Sequence, residues 1–257
     1  MSLGILATLF MYSAVITWQA AGSTEAAPPA EPVMLTLQGD TLVYRGEINA
    51  DAVARVADLL VQQPGVAGLA IDSPGGSIDA GMDLGELVRQ HGLDVEVMGS
   101  GCASSCANYV FAAADRKSIK PGALVIWHGS AIQKGFDDLD SAPGTSVVED
   151  GPAQPNIFQR WYARHVVQKM LRQYVKRIRH RQADFYRELG IDARVTVIGQ
   201  DLGCKCNWTL LPADMAAFGI EHVQAPPAYG MPGYSNSSNW SLIRLADHPD
   251  YLQKTRK

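Results

Sequence analysis

Hydrophobic and polar positions alternate from Met34 to Gly46 (MLTLQGDTLVYRG), a period of two that predicts two short strands joined by a Gly39-Asp40 turn. The period then lengthens. Val53, Val56, Leu59 and Leu60 in DAVARVADLLVQQ recur at helical spacing, with Asn49 or Asp51 placed to cap the helix and Pro64-Gly65 to end it. An apolar run of strand length, VAGLAID (66–72), leads through SPGG into a helix over Ala80 to Gln90. LDVEVMG reads as the next strand and is followed by the small-residue stretch SGCASSCANYVFAAAD; KPGALVIWHG is a turn into a buried strand. This alternation predicts a layered α/β fold with a mostly parallel sheet, built as a single domain over 34–224.

The second half is less regular. Residues 132–157 form a polar stretch rich in Asp, Gly and Pro, long enough to count as an insertion. Trp161 to Leu189 is a long helical pattern whose basic residues, Lys169, Arg172, Lys176, Arg177, Arg179 and Arg181, are expected on a solvated face. From residue 225 the chain is rich in Pro, Gly, Ser and Asn, and a poorly ordered tail is expected to 257.

At the other end, Leu3 to Trp18 carry no charge, and an Ala/Pro/Glu linker (23–33) separates this run from the domain. The run has the length of a signal-peptide core, with Ala20 and Gly22 as the small residues of a cleavage site before Ser23; an uncleaved N-terminal anchor is the alternative. Either reading places the domain in an exported, periplasmic or other extracytoplasmic space, the anchor adding membrane association through the N-terminal segment. Composition narrows the partners further. The 257 residues are 47% hydrophobic, and 22 basic against 26 acidic residues give a net charge of -4, so no global positive field favours nucleic acid.

Three segments carry candidate chemistry, all at strand ends or helix starts, where open α/β sheets hold ligands. In Asp72-Ser73-Pro74-Gly75-Gly76-Ser77, two glycines after a strand leave backbone amides open to an oxyanion. In Gly101-Cys102-Ala103-Ser104-Ser105-Cys106-Ala107, a serine at a helix start is either a nucleophile or a helix cap. His128, ending the strand ALVIWH, is a candidate general base.

Together these segments resemble the proteolytic subunit of the Clp protease, within the Clp/crotonase superfamily. SPGGSIDAGMDLGELV is similar to that family's SPGG-x-x-x-AGM signature. Continued without a gap, the register puts Ser105 on the nucleophilic serine, whereas exported relatives with a Cys-Ala-Ser-Ala-Cys motif would put it at Ser104. AAAD (112–115) is similar to the end of the active-site helix in signal peptide peptidase A and favours Ser105. PGALVIWHG resembles the strand ending in the catalytic base, His128. LLPADMAAFGIEHV resembles the closing helix and strand, which puts Asn207 where the family has an aspartate; Asp201 is a nearby substitute.

The resemblance implies a spiral of ββα units and a Ser-His-(Asn/Asp) triad with an oxyanion site near Gly75, Gly76 and Cys106. It implies no cofactor, no metal, a peptide or protein substrate, and a homo-oligomer as a further expectation. On this reading Cys102 and Cys106 flank the nucleophile while Cys204 and Cys206 precede the third triad position. Disulfides linking the first pair to the second are expected, because a one-residue spacer strains a Cys204 to Cys206 bond. A four-thiolate zinc site is the minor alternative. The activity expected is that of an exported serine peptidase acting on flexible peptides or membrane-protein fragments. Two alternatives share the fold: a catalytically weak interaction module, motivated by Asn207, and a crotonase-type acyl-CoA enzyme, against which the serine-histidine pair counts. A serine/lysine dyad would need a lysine motif that the sequence does not show.

Overall fold

The alternation at Met34 to Gly46 becomes a hairpin: β1 (Met34–Gln38) and β2 (Thr41–Arg45) pair antiparallel in full register around Gly39. The computed structural model of the protein describes residues 32–136, 157–235 and 239–253. The chain divides into two units, 1–30 and 31–257. The first, with the apolar run and most of the linker, lies outside the described residues, as does 137–156, most of the expected insertion.

From β2 onward the main sheet is parallel. β2 pairs with β3 (Gly68–Ser73), β3 with β4 (Asp94–Ala103), β4 with β5 (Lys117–Ile119), and β5 with β8 (Val223–Gln224). The expected end of β4 at Gly99 is passed: the strand runs on to Ala103, and its last residues pair with β6 (Leu124–Ile126). Its first half meets β5 and its second half β6, so one long strand spans both neighbours. The α/β architecture with a mostly parallel sheet is the one the alternation predicts.

Two helices follow from their caps and apolar stripes. In α1 (Ala50–Gln62) the Asn49 side chain accepts from the Ala52 N–H at 2.9 Å, which settles the choice between Asn49 and Asp51, and Val53, Val56 and Leu60 are buried. In α2 (Ile78–His91) Ser77 supplies the cap and Gly92 ends the helix in the left-handed conformation. The small residues Gly81 and Gly85 let α2 lie against a π-helix over Cys106–Phe111. A Cβ at Gly81 would come within 2.9 Å of the Ser105 Cβ, and one at Gly85 within 2.6 Å of the Tyr109 carbonyl oxygen.

α3 (Ile157–Leu189) buries Val175, Ile178, Gln182, Phe185 and Tyr186 along its C-terminal half. The expected solvated basic face holds at Lys169, Arg172, Lys176 and Arg177, which are exposed, and needs correction at Arg179 and Arg181, which are half-buried. Arg177 forms a two-bond fork with Asp79, and Arg181 reaches Asp79, Asp83 and Glu86, so both clamp α3 to α2. Arg179 donates to the Ala131 carbonyl at 2.7 Å, while Lys169, Arg172 and Lys176 are exposed.

After the short α4 (Ile198–Asp201), β7 (Asn207–Leu210) and α5 (Pro212–Ala217) lead to β8. Trp127 and Trp208 exchange two backbone hydrogen bonds of 2.8 Å, joining β7 to the end of β6; both indoles are fully buried. The expectation of a poorly ordered tail also needs correction. β9 (Trp240–Ile243) pairs parallel with β7 along its length. Tyr229 is buried, where its hydroxyl accepts from the Val125 N–H and shares a hydrogen bond with Thr209. Composition suggested disorder, but the tail has a sheet edge to complete and an aromatic to bury.

Candidate active site

Parallel pairing brings the C-terminal ends of β3, β4 and β6 to one edge, and each of the three chemistry-bearing segments leaves the sheet there. Ala103 is in register with Ile126, so Ser104 and His128 depart from neighbouring strands. The Ser104 N–H donates to the Ile126 carbonyl at 3.0 Å and anchors the turn to β6.

At Ser104 the backbone takes a φ of 55°, the left-handed region that a serine seldom occupies. The turn is closed from behind, because the Asn108 N–H donates to the Ser104 carbonyl at 2.8 Å. Its side chain is half-buried at the head of the π-helix. Ser105 differs: it is 1% exposed, and its hydroxyl donates to the Gly76 carbonyl at 3.1 Å. The two serines weighed from sequence therefore have separate environments, one at the apex of a sharp strand-to-helix turn and one bonded inward. That apex geometry is the one by which a nucleophile elbow exposes a hydroxyl.

The cysteines correct the expected cross-pairing. Cys102 is bonded to Cys106 and Cys204 to Cys206, within each pair rather than between them. Reversal of the chain at Ser104 brings Cys102 and Cys106 to a Cα separation of 5.3 Å. The chain bends at Lys205, contracting the second Cα separation to 5.2 Å from the roughly 6.6 Å of an extended spacer. Both separations suit a disulfide. The first bond thus encircles Ala103, Ser104 and Ser105.

The glycine turn faces this ring. Gly75, at φ 96°, is so close that a Cβ on it would lie 2.6 Å from the Ala103 carbonyl oxygen and 3.0 Å from the Ser105 nitrogen. Its N–H donates to the Ser73 hydroxyl at 3.1 Å. Among the described residues, the N–H groups of Gly76 and Ser105 donate to no acceptor. Cys106, the other amide expected from sequence, is fully buried in the π-helix.

His128 is exposed and lines a shallow pocket of about 240 Å³ with Gln200, Cys204, Lys205, Cys206, Asn207 and Asn239. The antiparallel Trp127-Trp208 bridge sets His128 opposite Asn207, and the Asn207 amide donates to the Asn239 carbonyl at 3.0 Å. Gln200 donates to the His128 carbonyl at 3.0 Å. Asp201 is not brought to this pocket; its carboxylate accepts from the Tyr251 hydroxyl at 2.8 Å. Ser104 is likewise outside the pocket lining.

Two supporting residues escape sequence reasoning. Asp72, just before SPGG, accepts from the Ser100 N–H at 3.0 Å, the Ser100 hydroxyl at 2.7 Å and the Gly101 N–H at 3.4 Å, fixing the backbone that enters the serine turn. Asn108 is buried, and its amide donates to the Gly129 carbonyl at 3.0 Å, holding the residue after His128. Tyr186 of α3 donates to the Asn108 carbonyl at 2.6 Å, and Tyr109 donates to Gln182 at 2.8 Å. Burial pushes both phenols above their ordinary range, so they remain donors. A carboxylate directly ahead of a glycine turn was the available signal for Asp72; Asn108 in an otherwise apolar helix was the signal for the second.

A larger cleft of about 780 Å³ lies at the opposite edge, lined by strand starts including Gly68, Asp94, Lys117 and Val223. It is away from all three segments, at the end of a parallel sheet that seldom carries chemistry. Burial there brings the Lys117 amine down to about 8 while it donates to the Glu221 and Asp115 carbonyls.

The family model described as Clp protease matches residues 38–141, which include the glycine turn, both serines and His128. Solved structures similar to the chain include a mutant of the 1510-N membrane-bound stomatin-specific protease, at 14% identity over 79% of this chain and 94% of that one, with a TM-score of 0.40. A mutant of ClpP1 from Listeria monocytogenes matches at 16% identity over 72% and 90%, with a TM-score of 0.45. An enoyl-CoA hydratase from Thermoplasma volcanium GSS1 matches at 13% over 37% and 49%, with a TM-score of 0.29. Among curated proteins none matches.

Proposed function

We propose that the chain is an exported serine peptidase of Clp-like type, with Ser104 as nucleophile and His128 as general base. The Clp protease match supports a peptidase. The observation that carries the assignment to Ser104 is its left-handed turn at the end of β4, with a half-buried side chain beside the strand that leads to His128. Ser105, whose hydroxyl is bonded to Gly76, is the less suitable of the two.

In this reading the Ser104 oxygen attacks the scissile carbonyl as His128 takes its proton. The carbonyl oxygen, now negative, is received by the N–H groups of Gly76 and Ser105. Collapse expels the amine, which takes the proton from His128, and leaves an acyl ester on Ser104. Water attacks that ester with His128 again accepting a proton, and the acid product departs as the Ser104 hydroxyl is restored. Asn207 orients the imidazole without adding a charge, so the imidazolium gains less than it would beside an aspartate. Substrate reaches His128 by closing over the shallow pocket next to it. Two disulfides and the apolar run at 3–18 support an extracytoplasmic setting.

The test is fluorophosphonate labelling of the full chain with mass-spectrometric mapping. The expected adduct is on Ser104, lost in Ser104→Ala, slowed roughly 10²–10⁴-fold in His128→Ala, and retained in Ser105→Ala. An adduct that disappears only in Ser105→Ala returns the role to Ser105. Absence of any adduct, with no peptide cleaved, rejects the hydrolase and leaves the interaction module.

A further inference from the structure

The pocket beside His128 has an unusual lining for so small a surface. Gln200, Asn207 and Asn239 share the lining with His128, and no acidic residue belongs to it. The cation of the pocket is Lys205, which is exposed and forms no ion pair among the described residues. Asp201, the nearest acid in sequence, lies in the adjoining pocket that Gln200, Cys204 and Lys205 also line, and its carboxylate accepts from the Tyr251 hydroxyl at 2.8 Å.

Lys205 is also the residue enclosed by the Cys204-Cys206 bond. A lysine on an open loop spends its charge over many backbone positions. The disulfide removes most of that freedom at the backbone and leaves only the stem to order when a partner arrives. Hydrogen-bonding capacity remains beside it: one Asn207 amide hydrogen goes to the Asn239 carbonyl, which leaves the other. A cation with a constrained backbone and a neutral donor beside it, its neighbouring acid Asp201 already engaged by a tyrosine hydroxyl, is the chemistry that receives a carboxylate.

We infer that this pocket binds a carboxylate of the substrate close to the scissile bond, with Lys205 supplying the charge and Asn207 a neutral hydrogen bond. The inference rests on the Ser104-His128 reading and gives it a substrate class: peptides carrying an acidic side chain beside the cleaved bond, or ending in a free C-terminal carboxylate there.

Internally quenched peptides test it, in matched sets with Glu, Gln or Lys next to the cleaved bond and with C-termini as free acid or amide. The full chain is expected to prefer Glu to Gln, or free acid to amide, by about tenfold in kcat/KM, and the set that shows the difference identifies the source of the carboxylate. The preference should shrink as salt is raised. In Lys205→Ala the ratio is expected to fall to about one, and in Lys205→Glu the Lys peptide should become the best of its set. Equal ratios in the wild type and Lys205→Glu overturn the inference while leaving the peptidase reading intact. If the wild type cleaves nothing and Ser104 takes no label, the peptidase reading fails. Fluorescence anisotropy of the same peptides then decides the carboxylate pocket, an unchanged Glu-to-Gln affinity ratio in Lys205→Glu counting against it.

Discussion

Gly75 stands against Ser104 so closely that a Cβ added to it would sit 2.6 Å from the Ser104 Cβ, a separation that side chains do not adopt. The contact joins two turns that leave different strands, and it holds only while position 75 has no side chain. Its φ of 96° adds a second demand for glycine.

Gly75→Ala is therefore expected to push the Ser104 turn away from the glycine turn. Labelling of Ser104 should slow at least roughly 10²-fold, the loss typical of a misplaced oxyanion donor. Chemical denaturation should show a loss of about 1–3 kcal/mol from the strain at a left-handed position. A variant that labels at the wild-type rate would show that the two turns act independently.

The bond between Cys102 and Cys106 constrains the same turn from inside the chain. A short loop of this size is expected to contribute about 2 kcal/mol through the unfolded state. Cys102→Ala with Cys106→Ala should lower stability by that amount and also slow Ser104 labelling, because φ at Ser104 is then held by hydrogen bonds alone. Paired measurements of denaturation midpoint and labelling rate separate the two effects; a lowered midpoint with unchanged labelling assigns the bond to stability only.

Acid should loosen the clamp between α2 and α3. The Arg177 hydrogen bonds, reinforced against partial burial by those of Arg181, hold the Asp79 carboxyl below its ordinary range. A depressed carboxyl means that the unfolded chain binds more protons in that window. The contribution is complete above about pH 4, the unfolded value, and is lost as pH falls through the lower folded value. Asp79→Asn should lower Tm at pH 7 by about 2 °C and flatten the dependence of Tm on pH below 4, measured by calorimetry. An Asp79→Asn profile parallel to that of the wild type throughout that range would remove Asp79 from the acid response.

What could be read from the sequence was local. The hairpin at Gly39 and the Asn49 cap depend on neighbours within a few residues, and the match of SPGG to a strand-to-helix turn needs nothing beyond its own strand. The disulfide pairing is not legible in the sequence, because it depends on φ at Ser104 and on the bend at Lys205, neither of which spacing reveals. β5 is three residues long, too short for a period to register. The ion pairs of Arg177 and Arg181 are hidden in the sequence because their partners Asp79, Asp83 and Glu86 lie about a hundred positions upstream. The choice between Ser104 and Ser105 turned on a register of one residue. What separates the two serines is where their hydroxyls lie, a property of the folded turn.

β9 makes the end of the chain part of the neighbourhood of His128. Asn239, the residue ahead of it, supplies the carbonyl that holds the Asn207 amide, and Trp240 is in register with Asn207 itself. A protease that nicks the chain between 225 and 238, or an affinity tag that pulls on the last strand, would therefore reach the pocket wall with no change to any residue of the main sheet. Preparations of this protein that differ only at the C-terminus should be compared for His128-dependent chemistry before they are treated as equivalent.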